Sequence, residues 1–330
     1  MFALCGLATR AQLPRIVVQG TGAPQVFTDI TTAVAAAQAG DHVYLSGGSF
    51  IGAVLVVDKT LHFVGAGMNP DSTGATGTTT LGVQLRITTA ASNSSFTGIT
   101  MGGDVQYGVL TNGSDDDPTN MVFQRCQFIA QFAVSATNSN TSSSSVFDEC
   151  IFRSSLLCTS NGGTSNTITR CIFSGIGATT NNLGNLIVSN SLFFQAGGST
   201  PGTGLYENCV FAFDITSPGI STANNCIFTN AGLPPGATGS GNIFSQTANT
   251  IFVNELNNTY EFSDDLHLAV GSPGANSGTD GNDIGLYGSL SPYKPGAVPV
   301  NPHYRVANVA NATDGSGNLP VSITVVAQPN

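Results

Sequence analysis

Charged side chains are scarce in this sequence. Asp, Glu, Lys and Arg together make up 8% of the residues, against about 25% in an ordinary globular domain. The 9 basic and 19 acidic residues leave a net charge of −10 at pH 7. A surface that binds nucleic acid has to neutralise phosphates with Lys and Arg, so this composition excludes nucleic acid as the main partner.

Long apolar runs are missing as well. No stretch approaches the roughly 18 consecutive apolar residues of a membrane-spanning helix, so no membrane span is expected. The shortage of charge does not indicate disorder, because 41% of the residues are hydrophobic. Gly, Ser, Thr and Asn take the place of the charges, with 40 Gly in 330 residues. Such a composition is typical of a β-rich chain with short turns.

The first residues have the character of a secretory leader. Residues 2–8 are apolar and residues 8–11 contain the small side chains of a cleavage site, although no basic region precedes them. Residues 1–23 are interpreted as the remnant of a leader followed by an N-terminal strand. The protein is therefore expected to be secreted, either extracellular or on the cell surface. A frayed N-terminus is the alternative.

A short motif recurs along the middle of the chain. Its central position is a small or apolar residue, followed in most copies two positions later by Phe. The copies stand at 99, 126, 150, 171, 191, 209, 226 and 243, with spacings that fall from 27 to 17 residues. Such a period is too short for a propeller blade and lacks the helical pattern of ankyrin or tetratricopeptide repeats. It predicts a parallel β-helix, in which coils stack about 4.8 Å apart.

The motif places most of the cysteines in one column. In a stacked solenoid they form an inward-facing ladder of small apolar side chains, because parallel Cβ vectors are poor geometry for disulfides. Ser191 and Ile243 share the column and could replace neither a disulfide nor a metal ligand. Zinc is not expected, since there is no CxxC pair and the four His are scattered. The column cysteines are Cys126, Cys150, Cys171, Cys209 and Cys226.

The position before this column carries a second pattern. Four successive coils have Asn there, which predicts an Asn ladder at a tight turn, each amide bonding to its copies above and below. The preceding coils have Arg125, Glu149 and Arg170, which indicate a self-neutralising charge ladder, with a catalytic triad as the alternative. The ladder asparagines are Asn190, Asn208, Asn225 and Asn242.

An amphipathic segment precedes the repeats. Thr28 and Asp29 are suitable N-cap residues, and apolar residues follow from Ile30 at helical spacing. The sequence predicts a helix over 28–38 that covers the N-terminal coil. The predicted fold class is thus all-β: a right-handed parallel β-helix with an N-terminal capping helix and an extended C-terminal tail strand.

Two parts of the sequence resemble known β-helix proteins. Segments 27–45, 48–50 and 58–67, with the Asn ladder, resemble the right-handed parallel β-helix proteins of the pectate-lyase-like superfamily. Segments 266–276 and 283–288 are similar to the closing motif of secreted surface β-helix proteins of the Bacteroidetes type. The resemblance covers about residues 24–290, which are assigned to the β-helix. It leaves the activity open, because this architecture hosts lyases, hydrolases, adhesins and structural proteins.

The composition of the sequence changes after Gly288. Residues 291–302 are rich in Pro and are interpreted as a stiff linker. Residues 303–330 are interpreted as a tail with one β-strand, in which Val321, Ile323 and Val325 lie on one face. A lone strand is not stable by itself, so this one is expected to dock on a neighbouring molecule.

Residues suited to polysaccharide chemistry are few. A lyase needs a base and cations that stabilise the enolate formed beside a uronate carboxylate. A glycosidase needs two carboxylates at a fixed separation on one face, and the acidic residues share no column apart from Glu149. The candidate cations are Lys59, Arg86, Arg125, Arg153 and Arg170, and the candidate carboxylates are Asp104, Asp148, Glu149, Glu207 and Asp214.

One acidic run could bind a metal ion. Asp115, Asp116 and Asp117 are candidate calcium ligands because Ca²⁺ prefers carboxylate oxygens; a solvated acidic loop is the alternative. Asp280 and Asp283 admit the same two interpretations. Calcium is the one cofactor that the sequence leaves open.

Taken together, these patterns favour a non-catalytic extracellular β-solenoid with a structural, adhesive or self-assembling role. Its C-terminal strand would dock on another copy or on another surface protein, and a polysaccharide is the third partner considered. The alternative is a polysaccharide lyase or glycoside hydrolase that acts on an acidic polysaccharide. A bound acidic oligosaccharide beside an Arg or Lys would favour that alternative.

Overall fold

The chain folds into mostly β structure with three long sheets and few helices, consistent with a β-solenoid. This computed structural model describes residues 14–108, 116–134, 143–157, 165–175, 180, 183–194, 201–255, 257–298 and 302–327. Sheets I, II and III contain 11, 9 and 5 strands. The β class and the long parallel sheets expected from the repeat are confirmed. No helix among the described residues is long and apolar enough to cross a membrane.

The chain begins with three short elements that adjoin the first coil. They are β1 (Ile16–Gln19), β2 (Gln25–Phe27) and α1 (Ile30–Ala36). Strand β1 pairs antiparallel with β2 and with the first strand of the first coil. Asp29 caps α1, because its carboxylate accepts a hydrogen bond from the Thr32 amide at 2.7 Å. Ile30, Ala33 and Val34 of α1 are buried against β1, β2 and the first coil.

The coils then add strands to the three sheets in turn. The first five coils have three strands: β3 (His42–Leu45), β4 (Gly48–Ile51) and β5 (Leu55–Val57); β6 (His62–Val64), β7 (Thr79–Gly82) and β8 (Leu85–Ile87); β9 (Ser95–Thr97), β10 (Thr100–Met101) and β11 (Val105–Tyr107); β12 (Val122–Gln124), β13 (Gln127–Phe128) and β14 (Phe132–Ala133); β15 (Val146–Asp148), β16 (Ile151–Phe152) and β17 (Leu156–Leu157). A 3-10 helix, Thr89–Ala91, lies before β9.

The next four coils have two strands each among the described residues. They are β18 (Thr167–Thr169) and β19 (Ile172–Phe173); β20 (Leu186–Ser189) and β21 (Leu192–Phe193); β22 (Gly204–Glu207) and β23 (Val210–Phe211); β24 (Thr222–Asn224) and β25 (Ile227–Phe228). From β3 onward, all neighbours in sheets I and II are parallel and in register. The spacing between equivalent residues falls toward the C-terminus, as in the sequence repeat. Residues 42–228 are termed the coil stack.

Aromatic rings fill the interior of the coil stack in two columns. Neighbouring rings within each column lie nearly parallel, with centroids 4.5 to 5.2 Å apart, close to the strand spacing. The columns are Phe63, Phe96, Phe123 and Phe147 behind sheet I, and Phe128, Phe152, Phe173, Phe193, Phe211 and Phe228 behind sheet II. Equivalent residues thus stack on their own copies.

The five column cysteines are buried free thiols in this interior. Each donates to a carbonyl oxygen of the preceding coil, as the Cys150 Sγ does to the Phe123 oxygen at 3.3 Å. Burial raises the pKa of the Cys150 and Cys209 thiols. They therefore pack as small apolar side chains with one weak donor.

The parallel coils end earlier than residue 290. Beyond β25 the stacking continues through isolated bridges, Thr222 to Thr238 and Ile227 to Ile243, rather than through further strands of the described chain. Residues 244–298, termed the cover segment, instead run back over the outer face of sheet II. This segment contains α2 (Ala248–Ile251) and the antiparallel pair β26 (Phe252–Asn254) and β27 (Asp265–Leu268). It packs on outward-facing residues of sheet II that are each 1% exposed or less: Ile151, Ile172, Leu192, Val210 and Ile227.

The Pro-rich segment is not an extended linker over its described part. Tyr293, Ala297 and Val298 are buried. The Asn69 side chain donates to the Pro295 carbonyl at 2.8 Å, and Arg125 Nη1 donates to the Val298 carbonyl at 2.8 Å. These two hydrogen bonds hold the segment on the coil stack. The apolar side chains between the prolines supply its packing face.

The C-terminal tail contains two strands rather than one. Strands β28 (His303–Val309) and β29 (Val321–Val326) form an antiparallel hairpin. The expectation of a strand without a partner in its own chain is therefore wrong. The turn residues Asp314 to Asn318 carry the missed signal: the Asp314 carboxylate accepts bonds from the Ser316 and Asn318 amides, both at 2.9 Å.

Candidate functional site

The C-terminal hairpin presents one apolar face to solvent. Its register places Tyr304 opposite Val325, Ala307 opposite Ile323 and Val309 opposite Val321. Directly opposed residues in an antiparallel pair lie on the same face. Tyr304, Val309, Val321, Ile323 and Val325 are each 51 to 57% exposed. The three predicted assembly residues therefore belong to a two-stranded surface, termed the hairpin face.

The two sides of the hairpin differ in chemistry. Asn308, Ser322 and Thr324 lie on the side opposite the hairpin face. At the base of that side, His303, Arg305 and Val326 line a cavity of about 440 Å³, together with Ser72 and with Gly296 and Val298 of the cover segment. The hairpin thus turns its more polar side toward the coil stack at its base.

The exposed face lacks the burial that normally stabilises such an element. A two-stranded hairpin is marginal in water by itself. Removing a Val or Ile side chain fully from water contributes about 1.5 to 3 kcal/mol. None of the described residues covers the hairpin face. A partner that covered it would gain a continuous apolar strip without having to desolvate a charge.

The residues of the charge ladder predicted from the sequence are in contact with one another in the structure. They lie under the end of the cover segment. Arg125 Nε is 2.5 Å from Glu149 Oε2, and the side chains of both are at most 3% exposed. Arg170 Nη2 is 2.5 Å from Asp148 Oδ1, and Arg170 Nε is 3.7 Å from Glu149 Oε1. Burial raises the pKa of Glu149, while Arg125 opposes that shift. This network neutralises itself, and its arginines are engaged by protein groups.

Two other lyase candidates are also engaged. Lys59 Nζ donates to the carbonyls of Val34 and Ala37 at the end of α1, each at 3.3 Å. Arg153 Nη1 donates to the Tyr260 carbonyl at 2.5 Å, and its guanidinium lies 5.3 Å from the centre of that tyrosine ring. Among the described residues, Arg86 and Arg170 each retain a buried Nε without a hydrogen-bond partner, although Arg170 Nε lies 3.7 Å from Glu149 Oε1.

The glycosidase candidates do not form a pair. Asp104 accepts from the Gln131 amide at 3.2 Å, and Asp214 accepts from the Thr229 hydroxyl at 2.8 Å. Asp148 and Glu149 belong to the ion network. Glu207 lies on sheet I, in register with Ser189. These carboxylates are thus divided between loops, sheet I and the network.

A carboxyl pair that sequence reasoning missed lies in the cover segment. Glu255 is 1% exposed, and its Oε1 accepts from the amides of Asn257 at 2.9 Å and Asn258 at 2.5 Å. Its Oε2 has no hydrogen-bond partner. Burial raises the pKa of both Glu255 and Asp264. The charge of Asp264 raises the pKa of Glu255 further, and the charge of Glu261 does the same for Asp264, whereas a hydrogen bond with Glu255 opposes the shift of Asp264. The two carboxyls meet because β26 pairs with β27.

The Asn ladder forms its bonds differently from the prediction. The backbone is left-handed at Asn190, Asn208 and Asn225, with φ between 49° and 54°. Their amides donate to the cover segment, however, to Gly285 O at 3.0 Å, Thr279 Oγ1 at 3.0 Å and Ser277 O at 2.7 Å. Asn242 instead donates to the Ala223 carbonyl at 2.8 Å. The first three residues thus fasten the cover segment to the coil stack.

The candidate calcium ligands are only partly described. Asp115 lies outside the described residues. Asp116 Oδ1 accepts from the Thr89 amide at 3.0 Å, and the Asp117 amide donates to the Thr89 hydroxyl at 2.8 Å. Asp283 accepts from the Asn276 amide at 2.9 Å, and Asp280 from the Asn282 amide at 3.1 Å. Within the described residues, no group of three or more His, Cys, Asp or Glu could hold a metal ion.

The chain matches no protein-family model, no curated protein and no solved structure.

Proposed function

We propose that this protein is a non-catalytic structural solenoid that self-assembles through its C-terminal hairpin. The exposed hairpin face carries the proposal, because it is an apolar strip that runs along both strands of the hairpin. The proposal includes a right-handed β-helix of the pectate-lyase-like type, α1 as its N-terminal cap, and a location outside the cell or on its surface.

The occupant of the hairpin face is the same face of a second copy. An uncharged apolar strip can bury itself against its own copy, and two such sheets can pack face to face about 10 Å apart. The chain carries a net charge of −10, yet no acidic residue lies on either hairpin strand. Repulsion between copies is therefore weakest where their hairpins meet.

The contacts of the basic residues support a non-catalytic role. Four of the five lyase cations are engaged by carboxylates or carbonyl oxygens of the chain itself. A substrate carboxylate would have to displace these partners. The Arg125 pair is buried as well, and separating a buried pair leaves an uncompensated charge.

Light scattering of the full chain over a range of concentrations tests the proposal. We expect a mass above that of a single chain at high concentration. Replacement Ile323→Lys should weaken association about 100-fold, because the lysine would carry an unpaired charge into the contact. The matched control, Thr324→Lys, adds the same charge on the opposite side of the same strand and should associate like the wild type.

A monomer at every concentration would overturn the proposal. Equal weakening by both lysine variants would also overturn it, since general charge repulsion would then explain the effect. Assembly that appears only after addition of another protein would replace the second copy with a different partner.

A further inference from the structure

Two of the four histidines form a pair on the outer face of sheet I. His42 and His62 are 20 residues apart in the sequence but are direct register partners on the parallel strands β3 and β6. Their ring centroids are 5.0 Å apart, with the ring planes inclined by 39°. His42 is exposed and His62 partly buried. Coil stacking thus brings two imidazoles side by side at the surface.

The separation suits joint coordination of one ion. A metal bound to imidazole nitrogen at about 2.0 to 2.1 Å, with a tetrahedral angle between two ligands, places the two ring centroids about 5 Å apart. The observed distance matches this value without movement of either strand. Imidazole is a preferred ligand of zinc, copper and nickel, whereas magnesium and calcium prefer oxygen.

Neighbouring groups orient both rings. His62 Nδ1 is hydrogen-bonded to Ser95 Oγ at 2.9 Å, so Nε2 of this ring is the nitrogen left to bind an ion. Tyr44 stacks on His42, with centroids 5.9 Å apart and planes 16° apart.

Solvent supplies the remaining ligands. A cavity of about 350 Å³ is lined by His42, Gln19, Asp41 and Tyr44. Gln19 is the register partner of His42 on β1, so this cavity lies on the side of His42 away from His62. The remaining ligands of the ion are therefore water molecules, which reach the pair because His42 is exposed.

We propose that His42 and His62 form a two-histidine site for a divalent transition-metal ion of the zinc, copper and nickel group. The ion joins the first two coils at the N-terminal end of the stack. By binding only the folded chain, it stabilises this end.

Calorimetric titration of the metal-free full chain with Ni²⁺ tests the site, with Mg²⁺ as the control ion. We expect one Ni²⁺ per chain and no Mg²⁺ binding. His42→Gln and His62→Gln should each lower the Ni²⁺ affinity at least about tenfold, because a chelate becomes a single ligand. Ni²⁺ should raise the melting temperature of the wild type but not of either variant.

The two other histidines supply matched controls. His267→Gln and His303→Gln should bind Ni²⁺ like the wild type, and circular dichroism should show that every variant folds. His42 is exposed, so its variant keeps the test informative if His62→Gln is destabilised. Unchanged binding in His42→Gln, or loss of binding in His267→Gln or His303→Gln, would overturn the proposal.

Discussion

Two apolar β surfaces of this molecule differ in what covers them. The outer face of sheet II, represented by Ile172, is at most 1% exposed beneath the cover segment. The hairpin face, represented by Ile323, is about half exposed, at 55% for this residue. Both are strips of branched aliphatic side chains on strands. The chemistry of the strips is the same, and the described chain covers only one of them.

The difference lies in the polar contacts around each strip. The cover segment is fastened by Asn190, Asn208 and Asn225 along one edge, and by Arg125 at the Val298 carbonyl. These bonds fix where its apolar side chains sit on sheet II. The hairpin face has no such flanking contacts among the described residues. An apolar surface that the chain itself covers thus contributes to folding, whereas an exposed apolar surface is available for association.

The largest expected effect comes from the ion network at the end of the cover segment. Glu149→Ala leaves the 3% exposed Arg125 side chain without its carboxylate, which should lower the unfolding free energy by about 3 to 5 kcal/mol. Urea denaturation measures this change. Asp214→Ala, which removes a carboxylate at an exposed residue, is the control and should cost less than about 1 kcal/mol. Similar losses in both variants would show that the network does not anchor the covered surface.

A matched pair of isoleucine substitutions compares the two strips directly. Ile172→Ala should cost about 3 kcal/mol of unfolding free energy, because it leaves a cavity under the cover segment. Ile323→Ala should cost less than about 1 kcal/mol in a dilute, unassociated sample, since that side chain is half exposed. Denaturant midpoints at low protein concentration measure both. Equal costs would mean that the hairpin face is covered in the monomer.

The smallest expected effect is a pH dependence within the cover segment. The folded-state pKa values of Glu255 and Asp264 are raised by burial, so the folded state retains protons that the unfolded chain releases. Their stabilising contribution is complete below the unfolded pKa values and is lost as pH rises through the raised folded values. The unfolding free energy should therefore fall as pH rises above about 4.

Glu255→Gln should flatten this dependence, because the amide does not ionise. Denaturant midpoints between about pH 4 and pH 7 measure it. Asp58→Asn, at an exposed carboxylate, should leave the slope unchanged. A wild-type stability that rises over this range would contradict the assigned direction.

Local patterns predicted part of this structure. The repeat with Cys126 and its copies indicated stacked parallel coils, and the alternation around Ile323 indicated a strand. The partner strand, β28, was missed because an irregularity between Tyr304 and Val306 interrupts its alternation. The carboxyl pair of Glu255 and Asp264 was missed because it depends on pairing between two strands that are separated in the sequence.

The sequence by itself determined the coil stack, because each coil repeats the same inward-facing residues at the same register and stacking follows from the repeat. Only the tertiary structure decided what the outer faces meet. The cover segment contacts successive coils through single residues such as Ile284 and Tyr293, which follow no local period. The His42 and His62 pair has the same origin, since its closeness depends on which strands become neighbours rather than on spacing along the chain.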